Sequence, residues 1–91
     1  MIYNIKYTSK FKKDLKLAKK QNKDLNKLYH VIDQLSKGRA LDLKYKDHEL
    51  SGEYKGVREC HIEADWLLMY EYIDQTLVLS LNRLGSHSDL F

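Results

Sequence analysis

The sequence predicts an α+β fold in the order β-α-α-β-β-β, with a helical hairpin packed on a small, mainly antiparallel sheet. Three observations predict it. An alternating apolar stretch opens the chain. Two segments with apolar residues at helical spacing follow, joined by only a few residues. The second half then holds three strand-like runs separated by short turns, which reads as a β-meander.

The first strand is carried by Ile2, Tyr3, Ile5 and Tyr7, with Asn4 and Lys6 between them. Thr8 or Ser9 suits a helix N-cap, because a short side-chain oxygen can accept from the orphan amides that follow. Phe11, Leu15 and Ala18 form the apolar stripe of the first helix, and lysines crowd its remainder. Asn22 closes this helix and Asp24 caps the next. Leu25, Leu28, Ile32 and Leu35 make the second stripe, widened by Val31, and Gly38 stops the helix. The segment ALDLKYKDHELSGEYKG reads as an extended connection. The meander strands are Tyr54 to Ile62, Trp66 to Tyr72 and Leu77 to Arg83, with turns EAD and DQT.

Length and composition suit a single domain over residues 1–91. With 43% apolar residues, no Pro and four Gly, the chain can fill one modest core, and it shows no linker or repeat. A lone cysteine, Cys60, cannot form an internal disulfide and fits a reducing compartment. No apolar run reaches the length of a membrane span, and the opening MIYNIKYTSK lacks a signal-peptide core. A cytoplasmic protein without membrane partners is the expectation.

Charge is distributed unevenly. Residues 1–46 hold 13 Lys or Arg against 4 Asp or Glu, a balance of +9. Residues 47–91 hold 3 against 9, a balance of −6, so the net charge of +3 conceals a basic half and an acidic half. A polyanion gripped by Lys12, Lys13, Lys16, Lys19 and Lys20 is one reading, and simple solvation of a helix is the other.

The chemistry-bearing residues gather around the meander. His61 and Asp65 flank its first turn, Arg83 and His87 follow the last strand, and His48 lies in the connection before it. Cleaving RNA without a metal needs a base for the 2′-hydroxyl, an acid for the leaving 5′-oxygen, and a cation for the phosphoryl charge. Histidine and arginine suit these roles. Trp66 and the terminal Phe91 offer stacking faces for bases, although Trp66 equally suits a core. Arg58 is either a phosphate contact or a structural ion pair. Cys60 and His61 cannot act as a dyad, because adjacent strand residues point to opposite faces. A zinc site from His48, His61, His87 and Asp65, with Glu63 or Glu49 as base, competes with the metal-free reading, but the spacing matches no common zinc motif.

Residues 45–70, YKDHELSGEYKGVRECHIEADWLLMY, and residues 83–91, RLGSHSDLF, together resemble the YafQ branch of the RelE/ParE toxin superfamily of type II toxin–antitoxin systems. The basic opening KDLKLAKK and the element order agree with it. Ala64 stands where relatives often have Pro, and Tyr54 where many have Trp. The resemblance implies a microbial-RNase-like fold and a ribosome-dependent endoribonuclease, an mRNA interferase that needs no cofactor and no metal. It implies catalytic roles for His48, His61, Asp65, Arg83, His87 and Phe91, with Trp66 anchoring or lining the cleft; Arg58 stays a phosphate contact or a structural ion pair, and the grip of the basic helix on RNA rests on charge alone. It further implies a cognate antitoxin, mRNA and ribosomal RNA as partners, and operator DNA only through the antitoxin complex. The alternative is a non-catalytic toxin that blocks the ribosome or gyrase, although gyrase poisons of this superfamily generally lack the histidine set.

Overall fold

The computed structural model describes residues 2–91. Strand β1 (Asn4–Tyr7) leads into helices α1 (Ser9–Lys20) and α2 (Leu25–Ser36). A two-residue strand β2 (His48–Glu49) precedes β3 (Arg58–Glu63), β4 (Trp66–Ile73) and β5 (Val78–Gly85), and one helical turn, α3 (His87–Leu90), follows. The five strands form one sheet in the order β1-β5-β4-β3-β2. β1 runs parallel to β5, and every other neighbouring pair is antiparallel.

The helix ends follow from local chemistry. Thr8 Oγ1 accepts from the Phe11 amide at 3.1 Å and donates to the Asn82 carbonyl at 2.9 Å, so the cap of α1 is also its tie to β5. At the other end Asn22 adopts φ 57°, and the Asn22 and Lys23 amides donate to the Lys19 and Ala18 carbonyls at 3.1 Å each. This is a Schellman closure, with Asn tolerating the left-handed conformation. Helix α2 starts at Asp24, whose Oδ1 accepts from the Asn26 amide, and closes in the same way at Gly38, φ 70°. There the Gly38 and Arg39 amides donate to Leu35 and Gln34.

One face of the sheet carries the main core. Phe11, Ala18, Leu28, Val31, Ile32 and Leu35 from the helices meet Cys60, Ile62, Trp66, Leu68, Tyr70, Leu79, Leu81 and Leu84. The other face is barer. Among the described residues, the apolar cover of Leu67 and Met69 there is Leu90 of α3 with half-buried Leu50, Tyr54 and Val57. This thinner face leaves room for polar side chains on β3 and β4.

Three differences from the sequence reading have physical causes. β3 begins at Arg58 rather than Tyr54, because Gly52–Tyr54 forms a 3₁₀ turn and Gly52 and Gly56 sit at φ 68° and 94°. β2, read as part of a connection, pairs His48 with Glu59 and Glu49 with Arg58. Helix α3 was not foreseen. Its four residues are too few for periodicity, but Ser86 and Asp89 make a reciprocal capping box that starts it. Among the described residues no helix is long and apolar enough to cross a membrane.

Candidate active site

Three histidines converge on the thin face of the sheet, and each directs Nδ1 at an acceptor oxygen. His87 opens α3, where its backbone amide and its Nδ1 both reach Asp65 Oδ1, at 3.0 and 2.7 Å. Asp65 sits in the β3–β4 turn. Hydrogen bonds from the His87 amide, then from its ring, hold the Asp65 carboxyl below the usual carboxylate range. A carboxylate only accepts, so His87 Nδ1 carries a proton and Nε2 is left for chemistry.

His61, on β3, packs its ring edge-on against His87 with centroids 5.7 Å apart. Its Nδ1 lies 3.4 Å from the Ala64 carbonyl across the turn. His48, on β2, donates from Nδ1 to the Lys46 carbonyl at 2.7 Å. Lys46 occupies a left-handed conformation, φ 49°, which aims that carbonyl back at the ring.

Glu59 lies among them. It pairs with His48 across the β2–β3 ladder, and its Oε1 is 3.7 Å from His48 Nε2. Side-chain ligand atoms of Glu59, His61 and His87 all fall within 4.8 Å of one another. Glu59 is only 4% exposed, and its buried Oε2 has no hydrogen-bond partner among the described residues. A carboxylate so placed is costly unless something polar meets it. The sequence reading missed Glu59, and weighed Glu63 and Glu49 instead. The available signal was its two-residue offset from His61, which puts both on one face of a strand.

Arg83 stands in a different relation. Its Nε and Nη2 donate to Asp14 at 2.8 and 3.3 Å, and Asp14 Oδ2 also accepts from the Leu84 amide at 2.9 Å. β1 pairs with β5 only through Leu81, so Leu84 lies on an open strand edge that helix α1 must satisfy. The Asp14 carboxylate holds the guanidinium more firmly protonated. Arg83 and Asp65 nevertheless line the same open cleft of about 600 Å³, together with Lys23, Glu63, Ser86 and Asp89.

Two residues that the sequence left between an RNA contact and a structural part take structural positions. Trp66 is 2% exposed and packs in the main core, so it has no free face on which to stack a base. It forms a wall of the cleft, with Lys23 Nζ 5.7 Å from its ring centroid. Arg58 is a structural partner: its Nη2 donates to Asp47 at 2.9 Å, and the buried Tyr70 hydroxyl donates to the same carboxylate. Strand alternation puts Arg58 on the helix side of β3, opposite His61. Cys60 shares that side, fully buried, and burial pushes its thiol far up.

The remaining expected residues are exposed. Lys12, Lys13, Lys16, Lys19 and Lys20 project to solvent from α1, and none of them lines the cleft. Phe91 is 59% exposed, and Tyr54 meets its ring edge-on at 5.7 Å.

Comparison with known proteins matches the chain to one family. Residues 3–91 match the family described as the bacterial toxin of type II toxin–antitoxin systems, YafQ. The mRNA interferase toxin YafQ of Escherichia coli K12 is 42% identical over 89 residues, covering 97% of this chain and 95% of that protein. The toxin in the crystal structure of the E. coli DinJ-YafQ toxin–antitoxin complex superposes with a TM-score of 0.91 at 40% identity, over 100% of this chain and 99% of that one. The crystal structure of a metal-bound toxin from Helicobacter pylori gives 0.93 at 47% identity over the whole of both chains. The family match over residues 3–91 and near-complete coverage at this identity show that the chain belongs to the YafQ family of bacterial type II toxin–antitoxin toxins.

Proposed function

We propose that the protein is an endoribonuclease that cuts mRNA on the ribosome and so arrests translation. The observation that carries this reading is the convergence of His48, His61 and His87 on Glu59, with each Nδ1 engaged and His48 Nε2 facing Glu59 Oε1. This supplies several proton carriers within one nucleotide's span, as 2′-hydroxyl attack on the adjacent phosphate requires. His87, held by Asp65, protonates the leaving 5′-oxygen. His48 or His61 takes the 2′-hydroxyl proton, with Glu59 as the carboxylate behind them. Arg83 stabilises the phosphoryl charge with the N–H groups that Asp14 does not occupy. Phe91, braced by Tyr54, positions the substrate. The α1 lysines supply the field that draws in ribosomal RNA and mRNA.

The partner in the E. coli complex supports a cognate antitoxin for this chain as well. We place its contacts over the basic helices or the cleft, and operator DNA is reached only through the toxin–antitoxin complex. The cytoplasm is the compartment in which such a toxin meets ribosomes.

A second reading rests on a specific observation. Glu59, His61 and His87 offer ligand atoms within 4.8 Å of one another, a set suited to a divalent transition metal, and the H. pylori relative is a metal-bound toxin. The three residues would hold such an ion through the same lone pairs that proton transfer uses.

Purified protein added to programmed ribosomes, with and without EDTA, decides between these readings when mRNA 3′ ends are mapped. Cuts at defined codon positions that survive chelation are the expected result. Cuts lost on chelation favour the metal reading. Halted translation with intact mRNA would overturn both in favour of a blocking toxin.

A further inference from the structure

A second concavity adjoins His61, and its lysine ammonium groups and tyrosine ring have no part in the roles above. It encloses about 430 Å³ beside His61, walled by Lys27, Lys44, Tyr45, Lys46 and the Glu63–Ala64 edge of the β3–β4 turn. Three lysines lining one hollow, one of them with Nζ 5.2 Å from the Tyr45 ring centroid, beside the His61 imidazole, match the needs of a single-stranded nucleotide. Cations meet its phosphate, and a ring face meets its base.

The chain builds this wall from consecutive residues. Asp42 accepts from the Lys44 amide at 3.0 Å and starts the 3₁₀ turn Leu43–Tyr45. Lys46 then turns left-handed at φ 49°, so residues 44, 45 and 46 all face the same hollow. Tyr45 is half-buried and leans on the main core, which fixes its ring. Lys44 Nζ lies 5.2 Å from that ring's centroid. Lys27 Nζ meets Glu63 Oε2 at 3.2 Å across the opening, with both side chains exposed. An exposed pair of this kind contributes little and exchanges readily for a stronger anion.

We propose that this concavity binds the nucleotide adjoining the scissile phosphate, with its base against Tyr45 and its phosphate held by Lys44 and Lys46. The proposal rests on the nuclease reading above and names where its substrate strand continues past His61. An incoming base takes the ring face from the Lys44 ammonium, which then turns to phosphate. Lys27 leaves Glu63 for the same backbone.

The test is amide chemical-shift mapping of ¹⁵N-labelled protein titrated with an uncleavable 2′-O-methyl hexanucleotide. The expected result is shifts at Lys44, Tyr45 and Ala64 that disappear in the Lys44→Ala, Lys46→Asn double variant, asparagine being chosen because it tolerates the left-handed turn. Each lysine removed also lowers the slope of log K against log salt by about 1. Shifts confined to residues around His87 and Asp65 would overturn the subsite. So would the same shifts produced by inorganic phosphate alone, which would mean that the base is not read. The readout needs no turnover. Shifts at Tyr45 alongside uncut mRNA would uphold the subsite and sink the nuclease, whereas cleavage without them would do the reverse.

Discussion

A single carboxylate oxygen of Asp65 accepts both the backbone amide and the ring Nδ1 of His87, at 3.0 and 2.7 Å. The first bond places the start of helix α3, and the second sets the tautomer and tilt of the imidazole. An asparagine there could present its oxygen to the same two donors but would lose the charge that favours a protonated Nδ1. Asp65→Asn is expected to lower single-turnover mRNA cleavage by about 10²-fold or more, the scale of one misplaced proton carrier. Circular dichroism should stay unchanged. Full activity in that variant would remove the pair from the mechanism.

The same pair makes an acid-side prediction. Asp65 has its folded-state pKa depressed, chiefly by the His87 amide. Its contribution to stability is therefore fully present above the ordinary aspartate value of about 3.9 and is lost as pH falls through the lower folded value. Carboxyl ¹³C titration should find Asp65 below that ordinary value. His87→Ala should move it part of the way back, because the ring bond goes and the amide bond stays.

Glu59 is expected to trade stability for activity. Its buried Oε2 has no partner among the described residues, an arrangement that folding alone does not favour. Replacement by the neutral isostere, Glu59→Gln, should stabilise the fold by ~1 kcal/mol, a rise in thermal midpoint of about 4–8 °C for a chain of this size. Cleavage should fall at the same time by on the order of 10²-fold. A variant that is both less stable and fully active would show Glu59 to be a structural residue only.

Asp14 is the acidic residue among the lysines of α1, and its role is to close the edge of β5. Asp14→Ala would leave the Leu84 amide and the half-buried Arg83 fork without their acceptor, at a cost of about 1–3 kcal/mol in denaturant unfolding. Asp14→Asn should cost less, since an amide oxygen still accepts from Leu84. Equal midpoints for the two variants would mean that the charge, rather than the hydrogen bond to the edge, carries the effect.

These residues also show what a single chain makes legible. The stripe Phe11 and Ala18, the stripe Leu28 to Leu35, the caps at Thr8 and Asp24 and the stops at Asn22 and Gly38 are local signals, and all of them appear in the structure. β2 is set by long-range pairing of two residues, and α3 by one capping box, so neither has a periodicity to read. The histidines are visible as residue types. Glu59 looks like any strand carboxylate until β2 and α3 cover it. Trp66 and Arg58 lay beside the right turn, but strand alternation sends both to the helix side of the sheet.

The network on that far side has a consequence for the site. Asp47 accepts from Arg58 and from the buried Tyr70 hydroxyl, and it stands between Lys46, which holds His48 by its carbonyl, and His48 itself. Anchoring Asp47 therefore fixes the left-handed turn at Lys46 and, through it, the His48 ring. Removing the carboxylate strands a buried hydroxyl and a partly buried guanidinium, so Asp47→Ala should destabilise by about 1–3 kcal/mol. Tyr70→Phe removes one donor and leaves the Arg58 bond, and should cost less. If the network serves only the fold, both variants will unfold earlier and cut normally at low temperature. If it positions His48, Asp47→Ala will also lose the His48 Nδ1–H···O signal in ¹⁵N imidazole spectra under conditions where it remains folded. That loss, with reduced cleavage, is the outcome the geometry of residues 46–48 predicts.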